Sequence, residues 1–115
     1  MSILVDTSVW IDHLRKPNAE LISILETYRV CIHPFILGEL ASGNLPQRSI
    51  FLKNLKLLPT IVIAAHDEVM QFIEIKKLHG HGLGFIDIHL LFSAKIHNLK
   101  LFTYDKKLEK IANSL

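Results

Sequence analysis

Short apolar segments alternate with longer amphipathic segments along this chain. The first apolar segment, SILV at residues 2–5, is followed at once by a run in which Val9, Trp10 and Leu14 recur at helical spacing. Short strands that are each followed by a helix favour a sheet of parallel strands covered by helices. The pattern therefore predicts an α/β fold with a central, mostly parallel sheet.

The same alternation places the remaining elements. We expect Pro17 to end the first helix, Asn18 to cap the second, Pro34 to occupy the first turn of the third, and Gly43 to end it. Residues 60–65, TIVIAA, fit either a strand or the approach to a helix. The other predicted strands are 29–33 and 99–104, and the predicted helices are 7–15, 18–28, 34–42, 45–58, 66–78, 85–98 and 105–115.

Length and composition limit the class of protein. A chain of 115 residues is expected to form a single domain over residues 1–115. It contains no apolar run of the roughly 18 residues that a membrane helix needs, and no basic segment leading into an apolar leader. The single cysteine, Cys31, lies in an apolar run and is expected to be a buried thiol. We therefore expect a cytoplasmic protein without a membrane segment.

The apolar content is high for a small domain. Hydrophobic residues make up 50% of the chain and the formal net charge is only +2, while the mean hydropathy is +0.32. A domain of this size leaves much of its surface exposed, so some apolar surface is expected to be covered by a second copy or by another protein.

Four carboxylates fall where a parallel sheet would collect them. Asp6 follows the first strand, Asp105 follows the last, Asp87 opens the helix after a glycine-rich loop, and Glu39 lies one turn into the helix after the second strand. Functional groups of open α/β sheets gather beyond the carboxyl ends of the strands. Clustered carboxylates repel one another unless a cation neutralises them, and hard divalent cations such as Mg²⁺ or Mn²⁺ are the usual partners. A shared acidic metal site is one interpretation.

Helix capping is the alternative interpretation. Asp6, Asp87 and Asp105 all lie near predicted helix starts, where an aspartate commonly accepts backbone N–H groups. Glu39 lies in the middle of its predicted helix with no opposite charge beside it, so capping does not account for it. From position alone the two interpretations remain open.

At these four residues the sequence resembles PIN-domain ribonucleases, and most closely the VapC toxins of bacterial and archaeal toxin–antitoxin systems. The matching segments are ILVDTSVWIDHL with Asp6, GELASG with Glu39, GLGFIDIHLL with Asp87, and LFTYDKKL with Asp105. Their order and spacing fit along nearly the whole chain.

The resemblance implies a PIN-like α/β/α sandwich and a Mg²⁺- or Mn²⁺-dependent endoribonuclease. Asp6 and Asp87 match the principal metal ligands, Glu39 a residue that positions the metal or its water, and Asp105 a residue that completes the site. Such families also keep a hydroxyl near the site, for which Ser8 and Thr103 are the candidates.

The resemblance also implies a reaction and partners. Metal-activated water would cut a phosphodiester of RNA, with tRNA or rRNA as the substrate as in the relatives, leaving a 5′-phosphate and a 3′-hydroxyl. A homodimer and a VapB-type antitoxin are the implied assemblies. Many relatives continue into a further strand after the segment that matches LEKIANSL, so the sheet is expected to lack an edge strand here.

Basic residues near the acidic positions have two interpretations. Arg15 and Lys16 follow the first helix, and Lys106 and Lys107 follow Asp105. A solvated face is the ordinary role of such residues, whereas beside a nuclease site they are candidates for RNA phosphate contacts.

Two rival functions remain to be weighed. A receiver-like signalling domain also holds Mg²⁺ at strand ends, but it needs a pair of acidic residues after the first strand, and here Asp6 stands alone. A catalytically inactive PIN-like binding module would keep the fold without the chemistry, and it has no reason to tolerate four clustered carboxylates.

Overall fold

Three parallel strands and seven helices make up the fold of the chain. The computed structural model describes residues 1–115. In chain order the elements are β1 (Ile3–Val5), α1 (Thr7–Arg15), α2 (Ala19–Glu26), β2 (Val30–Cys31), α3 (Pro34–Ser42), α4 (Arg48–Leu55), α5 (His66–Lys76), α6 (Phe85–Ile96), β3 (Lys100–Phe102) and α7 (Lys106–Ser114).

The first strand is the centre of the sheet. The strand order is β2-β1-β3, and β1 is parallel to both neighbours, with Ile3 paired to Val30 and to Lys100. All three residues of β1 are buried, as expected for a strand covered on both faces. Because every strand is parallel, the segments that follow them emerge at one edge, as the alternation of strands and helices predicts.

Two hydrophobic cores cover the sheet. One is formed by β1, β2 and helices α1 to α4, and the other by α5, α6 and α7. Helix α6 joins them, because Leu90 belongs to the first core and Leu91 to the second. The result is the α/β sandwich that the sequence predicted.

Several helix ends lie where their sequence signals place them. Asn18 Oδ1 accepts a hydrogen bond from the Leu21 N–H at 2.9 Å and so caps α2. Pro34 begins α3, and His33 caps it by accepting the Phe35 N–H on Nδ1 at 2.9 Å. Gly43 is the C-cap of α3. Capping chemistry was therefore a reliable guide to these boundaries.

Other boundaries differ from the predicted ones. Helix α4 begins at Arg48, because Gln47 has a left-handed φ of 47° that interrupts a helix. Helix α2 ends at Glu26, shortly before Tyr28, which has a φ of 57°. Of residues 60–65, only Thr60 forms a β-bridge, with Ile32, and the others lack regular structure.

Trp10 and Cys31 are both buried, and for Cys31 this confirms the prediction. Trp10 is packed in the first core with its ring edge-on to Phe51, and Cys31 lies in β2 with burial raising the pKa of its thiol. None of the helices combines the length and the apolar character that crossing a bilayer requires.

Candidate functional site

Asp6 lies at the end of the central strand and does not use its side chain to cap α1. It is 8% exposed, and its backbone N–H donates to the Phe102 carbonyl, which fixes it to β3. The side chain makes no capping hydrogen bond although the residue occupies the N-cap position. The capping interpretation therefore fails for Asp6.

Two hydroxyls hold the Asp6 carboxylate instead. Ser8 Oγ and Thr103 Oγ1 each donate to Asp6 Oδ2 at 2.8 Å. Thr103 Oγ1 also accepts the backbone N–H of Asp105 at 3.0 Å, so it connects two of the acidic residues. Both donors bind the same oxygen, which leaves Asp6 Oδ1 without a hydrogen-bond partner.

Asp105 and Asp87 both bind helix N-termini. Asp105 Oδ1 accepts the N–H groups of Lys107 and Leu108 at 3.0 and 3.2 Å, as an N-cap does. Asp87 lies one turn into α6, and its Oδ2 accepts the Gly84 N–H at 3.2 Å. For these two residues capping is real, and it orients the carboxylates at the sheet edge.

Three of the carboxylates are near enough to affect one another's charge. The pKa of Asp87 is raised, first by burial and then by the negative charges of Asp6 and Asp105; the Gly84 N–H and the Lys107 ammonium act in the opposite direction. Repulsion of this kind falls off with distance, so Asp87 lies near both Asp6 and Asp105. The parallel sheet has thus brought together residues that are far apart in sequence.

Glu39 reaches the site from α3 through a threonine. Its Oε1 accepts the hydroxyl hydrogen of Thr7 at 2.8 Å, and Thr7 directly follows Asp6. Glu39 is exposed, whereas Asp6 is buried. The fourth carboxylate therefore stands at the outer rim of the site.

The residues fit a hard divalent cation bound loosely. No three side chains of the aspartate, glutamate, histidine or cysteine type lie close enough together to enclose one ion. However, Asp6 Oδ1 accepts no hydrogen bond from the protein, and the charged form of Asp87 is destabilised by burial and by its neighbours. Magnesium keeps several waters and is usually held by one or two carboxylates, so an all-oxygen set of this kind suits it.

Only one of the four basic candidates contacts the site region. Lys107 Nζ donates to the Gly82 carbonyl at 3.2 Å, which ties α7 to the glycine-rich loop before α6, and its charge lowers the pKa of Asp87. Arg15, Lys16 and Lys106 are exposed, without a described side-chain hydrogen bond.

Histidines and phenylalanines near the starts of α3 and α6 form a packed cluster. His89 is 2% exposed and its ring stands edge-on to Phe35 and Phe85 at centroid distances of 4.8 Å. His33 is fully buried, and its ring centre lies 6.1 Å from that of His89. Burial, followed by the charge of His89, lowers the pKa of His33 to about 4.

Sequence reasoning missed two contributors to the site. Thr7 was overlooked although it lies between Asp6 and Ser8 in the DTS segment. Tyr104 was overlooked because its neighbours in space, Ser8 and Asn18, are nearly a whole chain length away in sequence. The only available signal was the position of Tyr104 between Thr103 and Asp105.

Sequence comparison places the chain in a family. The model of the PIN domain matches residues 3–114. Ribonuclease VapC32 of Mycobacterium tuberculosis is 42% identical over 108 residues, which span 93% of this chain and 87% of the relative, in strains CDC 1551 / Oshkosh and ATCC 25618 / H37Rv alike.

Solved structures share the fold. PAE2754 from Pyrobaculum aerophilum superposes with a TM-score of 0.70 at 20% identity, over 96% of this chain and 84% of that one. FitAB bound to an IR36 DNA fragment gives a TM-score of 0.66 at 19% identity, over 96% and 90% of the two chains. With the family model covering almost its full length, this chain belongs to the PIN-domain family, in its VapC-type branch.

Proposed function

We propose that the protein is a Mg²⁺- or Mn²⁺-dependent endoribonuclease, the toxin of a VapB–VapC-type toxin–antitoxin pair. The observation that carries the proposal is the state of Asp6. Asp6 is a buried carboxylate that caps no helix, accepts two hydroxyl hydrogen bonds on one oxygen and lies near two further carboxylates. Such a group lowers the stability of the fold unless a cation neutralises it. The relative named Ribonuclease VapC32 supports RNA as the substrate.

Each acidic residue has a distinct role in this proposal. Asp6 and Asp87 would bind the ion directly. Asp6 Oδ1 accepts no hydrogen bond from the protein, and the negative charges of Asp6 and Asp105 raise the pKa of Asp87. Asp105 would complete the site while its Oδ1 caps α7. Glu39, at the rim, would position water on the open side. Ser8 and Thr103 would hold the Asp6 carboxylate so that Oδ1 faces the ion.

The chain itself supplies binding and orientation. A bound divalent ion would polarise the phosphodiester and activate water, which yields a 5′-phosphate and a 3′-hydroxyl. Lys107 lies beside the carboxylates and would bind a phosphate of the RNA. Arg15, Lys16 and Lys106 would contact phosphates farther along the strand, with tRNA or rRNA as the substrate class.

Protein partners are expected from the surface of the molecule. Large apolar side chains remain exposed around α5, including Val62 at 80%, Ile75 at 72%, Ile63 at 46% and Met70 at 43%. Patches of this kind usually mark interaction sites. We assign them to a homodimer contact or to a VapB-type antitoxin, in a protein that acts in the cytoplasm.

The test is cleavage of RNA by purified protein freed of any antitoxin. We expect total RNA to be cut in Mg²⁺ or Mn²⁺ and left intact in EDTA, with new ends that carry a 5′-phosphate. Asp6→Asn and Asp87→Asn should each reduce the rate by at least about a hundredfold, because each removes a charge that holds the ion. The cut sites are mapped by ligating an adaptor to the new ends.

Asp67→Asn is the matched control. Asp67 lies in the first turn of α5, is exposed and makes no contact with the acidic site, so its variant should cut at the wild-type rate. Equal cutting by Asp6→Asn and wild type, or cutting that persists in EDTA, would show that the carboxylates do not form a metal nuclease site. A folded protein that cuts nothing would favour the inactive binding module.

A further inference from the structure

The ring of Tyr104 is half exposed directly beside the acidic site. Tyr104 stands between Thr103, which donates to Asp6, and Asp105, and its side chain is 47% exposed. Its backbone N–H donates at 3.1 Å to Ser8 Oγ, the other hydroxyl that holds Asp6. The ring is therefore attached to the same hydrogen-bonded unit as the carboxylate.

The exposed ring is nevertheless held in place. Its hydroxyl accepts a hydrogen bond from Asn18 Nδ2 at 2.6 Å, and Asn18 is itself buried and fixed as the cap of α2. On the inner side, the Tyr104 ring stands edge-on to Phe102, with centroids 5.5 Å apart and an interplanar angle of 86°. An exposed aromatic ring fixed at both ends loses little conformational entropy when a ligand covers it.

The residue that anchors the ring belongs to a segment of mixed charge, which includes two cations of the candidate RNA surface. The anchor, Asn18, lies just beyond Arg15 and Lys16 at the junction of α1 and α2. Asn18 Nδ2 also donates to Asp12 Oδ2 at 3.0 Å, so one carboxylate is occupied there. Cations for the backbone and an aromatic face for the bases are the usual components of a single-stranded nucleic-acid site.

Other tyrosine and tryptophan rings of the chain do not share this setting. Tyr28 is 94% exposed, makes no side-chain hydrogen bond, and lies beside Arg29 at the amino end of β2, across the sheet from Asp6. Trp10 is buried at 2%. Tyr104 is thus the ring of this kind that is exposed, immobilised and next to the carboxylates.

We propose that Tyr104 is a base-stacking platform that selects single-stranded RNA. A nucleotide next to the scissile phosphate would leave its own stack and lie on the exposed face of Tyr104, while the phosphate reaches Asp6 and Asp87. Double-stranded RNA would be a poor substrate because its bases stay stacked and cannot cover the ring. The inference rests on the proposed ribonuclease function and adds to it the residue that reads an unstacked base.

The first test measures KM and kcat for Tyr104→Leu, Tyr104→Phe and Tyr28→Leu on an RNA that the wild type cuts. Tyr104→Leu should raise KM about five- to one-hundredfold, the range that removal of a stacking aromatic produces, with kcat changed much less. Tyr104→Phe keeps the ring and should stay near wild type. Tyr28→Leu removes a more exposed ring from the other end of the sheet and should have no effect.

The second test asks whether the lost affinity comes from a base. The same RNA is made with one abasic nucleotide at each position around the cut in turn. One abasic position should weaken wild-type binding as much as Tyr104→Leu does and should cost the variant nothing further, since both changes remove the same contact. A 2-aminopurine at that position should be quenched by wild type and Tyr104→Phe, but not by Tyr104→Leu.

The outcomes separate the two proposals. If wild type cuts RNA and Tyr104→Leu matches it in KM and in quenching, the platform is disproved and the nuclease stands. If Tyr104→Phe loses as much as Tyr104→Leu and both melt at a lower temperature, the tyrosine only braces the α1–α2 junction. If wild type neither binds nor cuts RNA, both proposals are wrong.

Discussion

At the scale of single residues, hydrogen-bond partners distinguish an aspartate that caps a helix from one that does not. Asp105 accepts two helix N–H groups and Asp6 accepts none, although both follow a strand and precede a helix. The sequence could place both carboxylates at strand ends. It could not tell which one caps, because Ser8 and Thr103 reach Asp6 from opposite ends of the chain.

Asp87 should lower the stability of the metal-free protein. Its raised pKa means that the folded state holds a proton more tightly than the unfolded state, so the ionised form opposes folding at neutral pH. We expect Asp87→Asn to raise the melting temperature in EDTA, since asparagine keeps the acceptor for the Gly84 N–H and removes the repulsion. Mg²⁺ should stabilise wild type and leave Asp87→Asn unchanged in thermal melts.

Asp67→Asn is again the control for this comparison. It removes a negative charge at the N-terminus of α5, which should lower the melting temperature slightly. An Asp87→Asn variant that melts below wild type in EDTA would contradict the repulsion.

Thr103 should matter to folding as well as to the site. Its buried hydroxyl donates to Asp6 and accepts from the Asp105 N–H, so Thr103→Val leaves both groups short of a partner. We expect a loss of about 1 to 3 kcal/mol in the free energy of unfolding, measured by urea denaturation.

The matched variant is Thr60→Val. Thr60 is exposed and donates only to the Leu58 carbonyl, so the change should stay within about 0.5 kcal/mol of wild type. If Thr103→Val is no less stable than Thr60→Val, the hydroxyl does not hold the carboxylates in place.

At the scale of elements, signals carried by neighbouring residues were predictable and tertiary ones were not. Asn18 and Pro34 mark their helix starts through local chemistry, and both predictions are confirmed. Helix α4 starts later than predicted because Gln47 has a left-handed backbone, and a glutamine does not indicate such a backbone in the sequence. Residues 60–65 have strand-like composition, yet only Thr60 forms a β-bridge.

His33 joins the cap of α3 to the pH dependence of stability. Because Nδ1 accepts the Phe35 N–H, the neutral ring carries its proton on the buried Nε2, which has no partner. Burial and His89 lower the pKa of His33 to about 4. As the pH falls from 6.5 to about 4, His33 becomes protonated in the unfolded chain but stays neutral in the folded chain. The free energy of unfolding should therefore fall by about 3 kcal/mol over this range and then level off.

His33→Asn isolates this contribution. Asparagine is a good N-cap and does not titrate. The free energy of unfolding of His33→Asn, measured in urea, should therefore depend less on pH over that range than that of the wild type. His79→Asn, on the exposed loop, should follow wild type. Parallel curves for wild type and His33→Asn would show that His33 titrates normally. The pKa of His89 is lowered in the same direction, so part of the slope should remain.

At the scale of the whole molecule, the parallel sheet determines where the chemistry can lie. Asp6, Glu39, Asp87 and Asp105 were expected to meet beyond the carboxyl ends of the strands. The effect of Asp6 and Asp105 on the pKa of Asp87 agrees with this for three of them. The Thr7–Glu39 contact and the anchored ring of Tyr104 depend on how helices pack on that sheet. Packing of that kind cannot be deduced from spacing along the chain.

The most direct test of the central claim is to measure Mn²⁺ binding to the purified protein by electron paramagnetic resonance. We predict saturable binding by wild type and by Asp67→Asn, and loss of that binding in Asp6→Asn and in Asp87→Asn, with all four proteins folded by circular dichroism. Binding by Asp6→Asn and Asp87→Asn as tight as that of wild type, or no saturable binding by wild type, would contradict a metal site at the carboxyl ends of these strands.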